Sequence, residues 1–108
     1  MLDDDIRTTQ EIEHDICRTY ELEVYERASL NEIGRMLDFG LYYEEDVVLE
    51  HIDFIERLQS KLQQIRTDEI REGYSVMTLD ESLLEVEKLF RKLTHTLHII
   101  RHNNNDLF

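Results

Sequence analysis

Apolar residues recur without interruption along the C-terminal part of the chain, at alternating spacings of three and four residues. This seam consists of Leu83, Val86, Phe90, Leu93, Leu97 and Ile100. The spacing is typical of the contact stripe of an α-helix, and of the a and d positions of helices that pack side by side. The seam therefore predicts a long helix, which we expect to begin at Thr78, with Glu81 completing a capping box.

Two further helical segments are predicted before this one. The chain has no proline and only three glycines, so few residues in it interrupt a helix. The first segment is expected to run from about Asp4 to Leu37, with Gly40 as its terminator. A break near Ser29 would divide it into two helices, because Ser29 and Glu32 match a capping box. The second segment is expected from about Tyr42 to Arg66.

These segments predict an all-α fold. We expect an antiparallel three-helix bundle with long helices, or a four-helix bundle if the first segment breaks. One domain over residues 1–102 and a frayed tail over residues 103–108 are expected, since a chain of 108 residues suffices for one core. Leu84, Leu89 and Ile99 add apolar surface outside the seam, more than two short neighbouring helices would cover. We therefore expect a homodimer that packs through the seam.

The negative charge is concentrated in the first half of the chain. Residues 1–56 contain 17 acidic and 4 basic residues, whereas residues 57–108 contain 8 of each, so the first half accounts for the whole net charge of −13. Such a field repels nucleic acids and anionic membranes and attracts basic surfaces. We expect a protein partner with a basic surface and no direct binding to nucleic acid or membranes. The residues expected to contact the partner are Asp3, Asp4, Asp5, Glu21, Glu26, Glu44, Glu45 and Asp46.

Features of the termini and of cysteine usage bear on localisation. The first residues are acidic and lack the apolar segment of a signal peptide, and no stretch approaches the ~20 apolar residues of a membrane span. Cys17 is the single cysteine, so an internal disulfide cannot form. These features favour a reducing, cytoplasmic location.

Three of the five histidines, His95, His98 and His102, are spaced three and four residues apart. On a helix they would lie within about 60° of one another, on a face almost opposite to the seam. Lys88 and Arg91 share that face and make it cationic. We therefore expect a solvated helix surface there and predict no metal site.

His51 and Glu23 interrupt the apolar stripes of their own segments. A buried hydrogen bond between a histidine and a carboxylate, which fixes the register of two helices, is the interpretation we favour. No serine, threonine or cysteine nucleophile shares that face in a recognisable pattern, so we expect no catalytic residue there.

Four carboxylates indicate an alternative function. Glu23 and Glu26, followed by Glu50 and Asp53, reproduce the form E-x-x-E and then E-x-x-D. This pattern resembles the magnesium-binding signature of MazG-type nucleoside triphosphate pyrophosphohydrolases, which are small, all-helical and oligomeric. The resemblance implies that these carboxylates hold Mg²⁺, which activates water and neutralises the phosphates. Outside this alternative we expect no cofactor.

The function that the sequence favours is non-catalytic. We expect a protein–protein interaction module, an adaptor or inhibitor, which uses its acidic half to engage a basic protein surface. One specific form is mimicry of nucleic acid, in which spaced carboxylates occupy a groove that otherwise binds phosphates.

Overall fold

A computed structural model describes Thr9 and residues 22–106 of the chain. Within these residues the fold is an all-α bundle without strands, which confirms the predicted fold class. Its helices are α1 (Val24–Phe39), α2 (Glu45–Glu72) and α3 (Met77–Asp106). None of the helices in this part of the chain is both long enough and apolar enough to cross a lipid bilayer.

Two glycines end the first two helices. Gly40 follows α1 with a φ of 63°, and the next N–H, that of Leu41, donates to the Met36 carbonyl at 2.9 Å. Gly73 follows α2 with a φ of 87°. Glycine adopts this left-handed conformation without the steric cost that a Cβ would impose, and the turn satisfies the last carbonyls of the helix. The prediction that Gly40 terminates the first helix is confirmed.

α1 begins at Val24, because Leu22 and Glu23 are not helical. Glu23 and Glu26 form a capping box, in which the Glu26 carboxylate accepts a hydrogen bond from the Glu23 N–H at 2.8 Å. The prediction of an uninterrupted first helix is therefore wrong at Leu22 and Glu23. The alternative prediction of a break near Ser29 is wrong as well, because Ser29 lies inside α1. Glutamate is not among the preferred N-cap residues, so the sequence pattern pointed to Ser29 instead. The part of the predicted first segment that precedes residue 22 lies, apart from Thr9, outside the described residues.

The other helix boundaries also differ from the predictions. α2 starts after the connection 41–44 and continues past Arg66 to Glu72, since no residue before Gly73 interrupts it. α3 begins at Met77, so the predicted capping box at Thr78 is wrong; the Ser75 hydroxyl accepts a hydrogen bond from the Met77 N–H instead, at 3.4 Å.

The C-terminal boundary of the helical domain needs a similar correction. Residues 103–106, predicted to belong to a frayed tail, continue α3. Asparagine is a weak helix former but, unlike proline, it does not break a helix that is already established. Leu107 and Phe108, the rest of the predicted tail, lie outside the described residues.

The three helices share one apolar core, to which α2 and α3 contribute most. Two ion pairs join these helices at their ends. Near one end of the pair, Arg66 of α2 contacts Asp80 of α3 at 2.6 Å, and near the other, Arg101 of α3 contacts Glu45 of α2 at 3.1 Å. Each ion pair therefore connects the start of one helix with the end of the other. The most deeply buried residues are Leu30, Ile33, Val48, Ile55, Leu58, Leu62, Leu79, Val86, Leu89 and Leu93.

The predicted seam of α3 faces this core within a single chain. Val86, Leu93, Leu97 and Ile100 are buried, whereas Leu83 and Phe90 are only partly buried. Leu89, which was expected to lie outside the seam, is fully buried, because it lies three and four residues from Val86 and Leu93 on the same face. The buried seam residues are thus occupied by intramolecular packing and are not available to a second copy.

Leu93→Asp should destabilise the protein by several kcal/mol, because it places a carboxylate in the fully buried centre of α3. Ile99→Asp on the same helix is the matched control, since Ile99 is 44% exposed and its replacement should change stability by less than about 1 kcal/mol. Denaturant unfolding measures both free energies. Equal effects of the two substitutions would contradict the placement of the core.

Candidate binding surface at the start of helix α2

The connection between α1 and α2 directs two adjacent tyrosines to opposite sides. Residues 41–44 are non-helical, and Glu44 is extended, with φ of −114° and ψ of 133°. Successive side chains of an extended backbone point in opposite directions. Tyr42 is 8% exposed and Tyr43 77% exposed. The connection therefore inserts one aromatic ring into the core and presents the next one to solvent.

Tyr42 belongs to a chain of hydrogen bonds that joins the connection to both neighbouring helices. Its hydroxyl lies 2.6 Å from Nδ1 of His51 on α2, and His51 Nε2 lies 3.0 Å from a carboxylate oxygen of Glu32 on α1. His51 is buried and its ring meets the Tyr42 ring edge to face. The prediction of a buried histidine bound to a carboxylate is confirmed, but the carboxylate belongs to Glu32 and not to Glu23, which is exposed at the start of α1.

The hydrogen-bond partners of His51 indicate which of its ring nitrogens carries the proton. An ionised carboxylate only accepts hydrogen bonds, so in the neutral form of His51 the proton lies on Nε2 and faces Glu32, and Nδ1 accepts the hydrogen bond that the Tyr42 hydroxyl donates. Burial, reinforced by the nearby negative charge of Glu32, raises the pKa of Tyr42 well above its usual range. The tyrosine therefore stays neutral and acts as a fixed donor, not as a nucleophile.

A second polar contact joins α1 to α2 farther along. Lys61 Nζ lies 2.6 Å from Oε1 of Glu26, and the Glu26 side chain is almost completely buried. Burial raises the pKa of Glu26, but the hydrogen bonds from Lys61 and from the Glu23 N–H, together with the charge of Lys61, outweigh it, so the net pKa is lowered. Glu26 is thus a structural carboxylate.

An acidic surface with exposed apolar side chains surrounds the start of α2. We call it the α2 acidic surface. Leu49 and Glu50 follow Asp46 by three and four residues, and all three lie on the exposed side of the helix. Residues 44–56 contain six acidic residues and no lysine or arginine. Within the described residues, Glu44, Asp46 and Glu50 make no ion pair. The surface consists of Phe39, Tyr43, Glu44, Asp46, Leu49 and Glu50.

The residues that were expected to bind a basic partner differ in exposure and in their ion pairs. Glu44 and Asp46 are exposed, and Glu45 is half-buried and paired with Arg101. Glu26 is buried, so its assignment to the binding surface is wrong; the lysine that pairs with it comes from α2, and no sequence pattern linked the two. The predicted residues Asp3, Asp4, Asp5 and Glu21 lie outside the described residues.

The four carboxylates of the MazG-type pattern are not brought together as one metal-binding group. Glu23 caps α1, and Glu26 has Lys61 at the position where a cation would sit. Glu50 is exposed on α2, and Asp53 pairs with Arg57 of the same helix at 3.1 Å. Within the part of the chain that the structure describes, no cluster of three or more His, Cys, Asp or Glu side chains is arranged to hold a metal ion.

The histidines of α3 are exposed, as the helix geometry indicated. His95, His98 and His102 all lie on the outer surface, and the rings of His98 and His102 are stacked with centroids 6.4 Å apart.

Sequence reasoning missed three residues of this region. Phe39 and Tyr43 are large, exposed aromatic residues, and Glu32 completes the hydrogen-bond chain. The pair Tyr42 and Tyr43 carried a usable signal, because two adjacent residues that follow a helix-terminating glycine in an extended connection point in opposite directions. Comparisons of the chain with protein-family models, with curated proteins and with solved structures give no match.

Tyr42→Phe should lower the free energy of unfolding by about 1–2 kcal/mol, since it leaves the buried Nδ1 of His51 without its donor. Tyr43→Phe is the matched control on the neighbouring, exposed ring, and it should have an effect below about 0.5 kcal/mol. Thermal and denaturant unfolding measure the difference. A Tyr42→Phe variant as stable as the wild type would show that the hydrogen bond contributes nothing.

The contact between Glu26 and Lys61 should make stability depend on pH. Because the pKa of Glu26 is lowered from 4.5 by folding, its contribution is fully present above that pH and is lost as the pH falls through the lower, folded-state value. The stability difference between wild type and Glu26→Gln should therefore shrink as the pH is lowered from about 7 to about 3. Glu72→Gln, at an exposed position, is the control. A difference that grows toward acid pH would contradict the assignment.

Proposed function

We propose that this protein is a non-catalytic interaction module that binds a basic protein surface through the α2 acidic surface. The observation that carries the proposal is the exposure of Phe39 and Tyr43, at 67% and 77%, beside carboxylates that have no cationic partner among the described residues. Groups of exposed apolar side chains rimmed by polar residues mark protein interaction sites. Their position next to negative charge favours a partner that is both apolar and basic.

The exposed aromatic residues and the carboxylates of this surface would have different roles in binding. Aromatic side chains that become buried at an interface supply much of the binding energy and mainly govern dissociation. Carboxylates at the rim, such as Glu44, Asp46 and Glu50, steer a basic partner and mainly govern association. Arginine fits both requirements, because its guanidinium pairs with carboxylates and stacks on aromatic rings. We therefore propose a partner that presents arginine side chains.

We also propose that the bundle is antiparallel and that two copies associate. The ion pairs between Arg66 and Asp80 and between Arg101 and Glu45 support the antiparallel arrangement of α2 and α3. An exposed apolar residue that remains on α3, Leu84, supports association. The predicted seam does not, because its buried residues pack within one chain.

Neutralising the α2 acidic surface should slow association. The triple variant Glu44→Gln, Asp46→Asn, Glu50→Gln removes three charges but leaves the ion pair of Glu45 intact. Its association rate constant with the partner should fall about tenfold at low ionic strength and converge with that of the wild type as salt screens the charges. The matched control, Glu69→Gln, Glu72→Gln, Glu81→Gln, removes the same charge from a distant region and should have a much smaller effect.

Partners for this measurement are captured from the source cell at low salt, identified by mass spectrometry, purified and examined by stopped-flow or surface-based kinetics. Tyr43→Ala should raise the dissociation rate by about 30-fold, whereas Tyr25→Ala, at another exposed tyrosine on α1, should not. Competition by duplex DNA would indicate the nucleic-acid-mimicking form. Salt-insensitive association, or equal effects of the two triple variants, would contradict the proposal. Mg²⁺-dependent release of pyrophosphate from a nucleoside triphosphate, abolished by Glu50→Gln, would also contradict the proposal of a non-catalytic protein.

A further inference from the structure

The outer face of α3 carries two histidines, one turn apart, that lie side by side. His98 and His102 are both exposed, and their rings are stacked, with centroids 6.4 Å apart and planes inclined by 14°. Side chains four residues apart on a helix are neighbours, so both imidazoles extend from the same side of α3. This side of the helix points away from the buried residues Leu93 and Leu97 and therefore into solvent.

Two imidazoles on adjacent turns of a helix can act as a bidentate ligand for a transition metal ion. Neutral imidazole binds Zn²⁺, Cu²⁺ and Ni²⁺ through one ring nitrogen. A tetrahedral zinc ion with bonds of about 2.0–2.1 Å requires two ring nitrogens about 3.3 Å apart. The rings of His98 and His102 have to tilt toward each other to reach this distance. Both side chains are exposed, so rotation about their own torsion angles achieves the tilt without movement of the helix.

The surroundings of the pair are less unfavourable to a cation than the sequence indicated. No metal site was expected on this face, because Lys88 and Arg91 make it cationic. In the structure Lys88 is half-buried, and Arg91 is paired with Glu87 at 3.3 Å. Arg101, the residue before His102, is paired with Glu45 at 3.1 Å. Each of these two guanidinium groups therefore has a carboxylate beside it, which reduces its repulsion of a metal ion.

One chain supplies only half of the ligands that zinc requires. Structural zinc sites are almost always four-coordinate, with all four ligands from protein. His95 lies about 7 Å along the helix axis before the midpoint of His98 and His102, and helical side chains lean toward the N-terminus, away from this pair. Within the part of a single chain that the structure describes, no three His, Cys, Asp or Glu side chains are grouped to hold a metal ion. The pair is therefore half of a tetrahedral site.

We propose that His98 and His102 from two copies of this chain bind one Zn²⁺ ion between them, and that this ion joins the copies as a twofold-symmetric dimer. The inference rests on the association proposed above and identifies the residues and the ion that mediate it. A twofold axis through the ion converts two ligands into four, the coordination number of structural zinc. Leu84, which is 48% exposed, lies five turns before His102 on the same side of α3 and adds apolar surface to this face.

The distribution of charge favours contact between two copies at this face. Residues 88–105 contain no acidic residue, although each chain has a net charge of −13. The zinc ion places two positive charges between the copies and so reduces their repulsion. α2 and α3 pack against each other, and the α2 acidic surface and the histidine pair both face away from that contact. The dimer therefore leaves the α2 acidic surface of each copy exposed, on its outer side.

The experiment is sedimentation velocity over the micromolar range, on protein stripped of metal with a chelator, with and without added Zn²⁺. The stripped wild type is expected to be mainly monomeric, and the loaded protein to sediment at twice 13.1 kDa with one ion per two chains. At a free Zn²⁺ concentration of about 100 times its dissociation constant from the dimer, the dimer dissociation constant should fall about 100-fold. Mg²⁺ at the same concentration should not have this effect, because it prefers oxygen ligands.

Histidine variants identify the ligands. His98→Ala and His102→Ala should each abolish the effect of Zn²⁺ on the mass, because a dimer of either variant retains only two of the four ligands. His95→Ala removes another exposed histidine from the same face and is the matched control, which should retain the full effect. Co²⁺ in place of Zn²⁺ should give the visible absorption of a tetrahedral complex, and the same two variants should lose it. Circular dichroism and thermal unfolding verify that each variant is folded.

Other outcomes separate this inference from the proposals on which it rests. A wild type that is monomeric with and without Zn²⁺ would overturn both the association and this inference, and would leave the α2 acidic surface to be judged by its own binding kinetics. A dimer of equal affinity in stripped and loaded protein, unaffected by His98→Ala, would retain the association but overturn the zinc site. One ion per chain without dimerisation would indicate an adventitious ion only and would also overturn the inference.

Discussion

The contact between Lys61 and Glu26 determines how α1 is placed on α2. The Glu26 carboxylate accepts from the Glu23 N–H at the first turn of α1 and from Lys61 in the middle of α2, so one buried group fixes both the start of α1 and its register. A buried carboxylate without such partners would be expensive, which makes alternative registers unfavourable. The position of the connection 41–44, and with it that of Tyr43, follows from this arrangement.

The hydrogen-bond chain of Tyr42, His51 and Glu32 joins the backbone next to the α2 acidic surface to the rigid interior. It anchors one ring of the tyrosine pair and thereby leaves the adjacent ring only the solvent side. The backbone that carries the exposed ring is consequently anchored by its neighbour, and an anchored backbone would lower the entropy cost of the proposed binding. A polar network in the interior thus has a direct role in presenting an apolar group at the surface.

Much of the fold could be predicted from local patterns. The three-and-four spacing of apolar residues identified the helices, and Gly40 identified the end of α1, because both signals depend on residues that are close in sequence. The N-terminus of α1 could not be located in this way, since its cap combines Glu23 with Glu26, which is held by a lysine 35 residues away. For the same reason Glu26 was assigned to the surface. The count of charges along the sequence assigned acidic residues to the expected binding surface. It could not distinguish an exposed carboxylate such as that of Asp46 from a buried one such as that of Glu26.

The distribution of charge along α2 also constrains the geometry of the proposed dimer. An arrangement that brings the acidic N-terminal ends of two α2 helices within a Debye length of about 8 Å would place like charges where salt screens them little. The proposed association of two copies is therefore more favourable where these ends lie far apart. Such a pair would present two separated acidic surfaces, and for a partner with repeated basic sites the second contact would be effectively intramolecular.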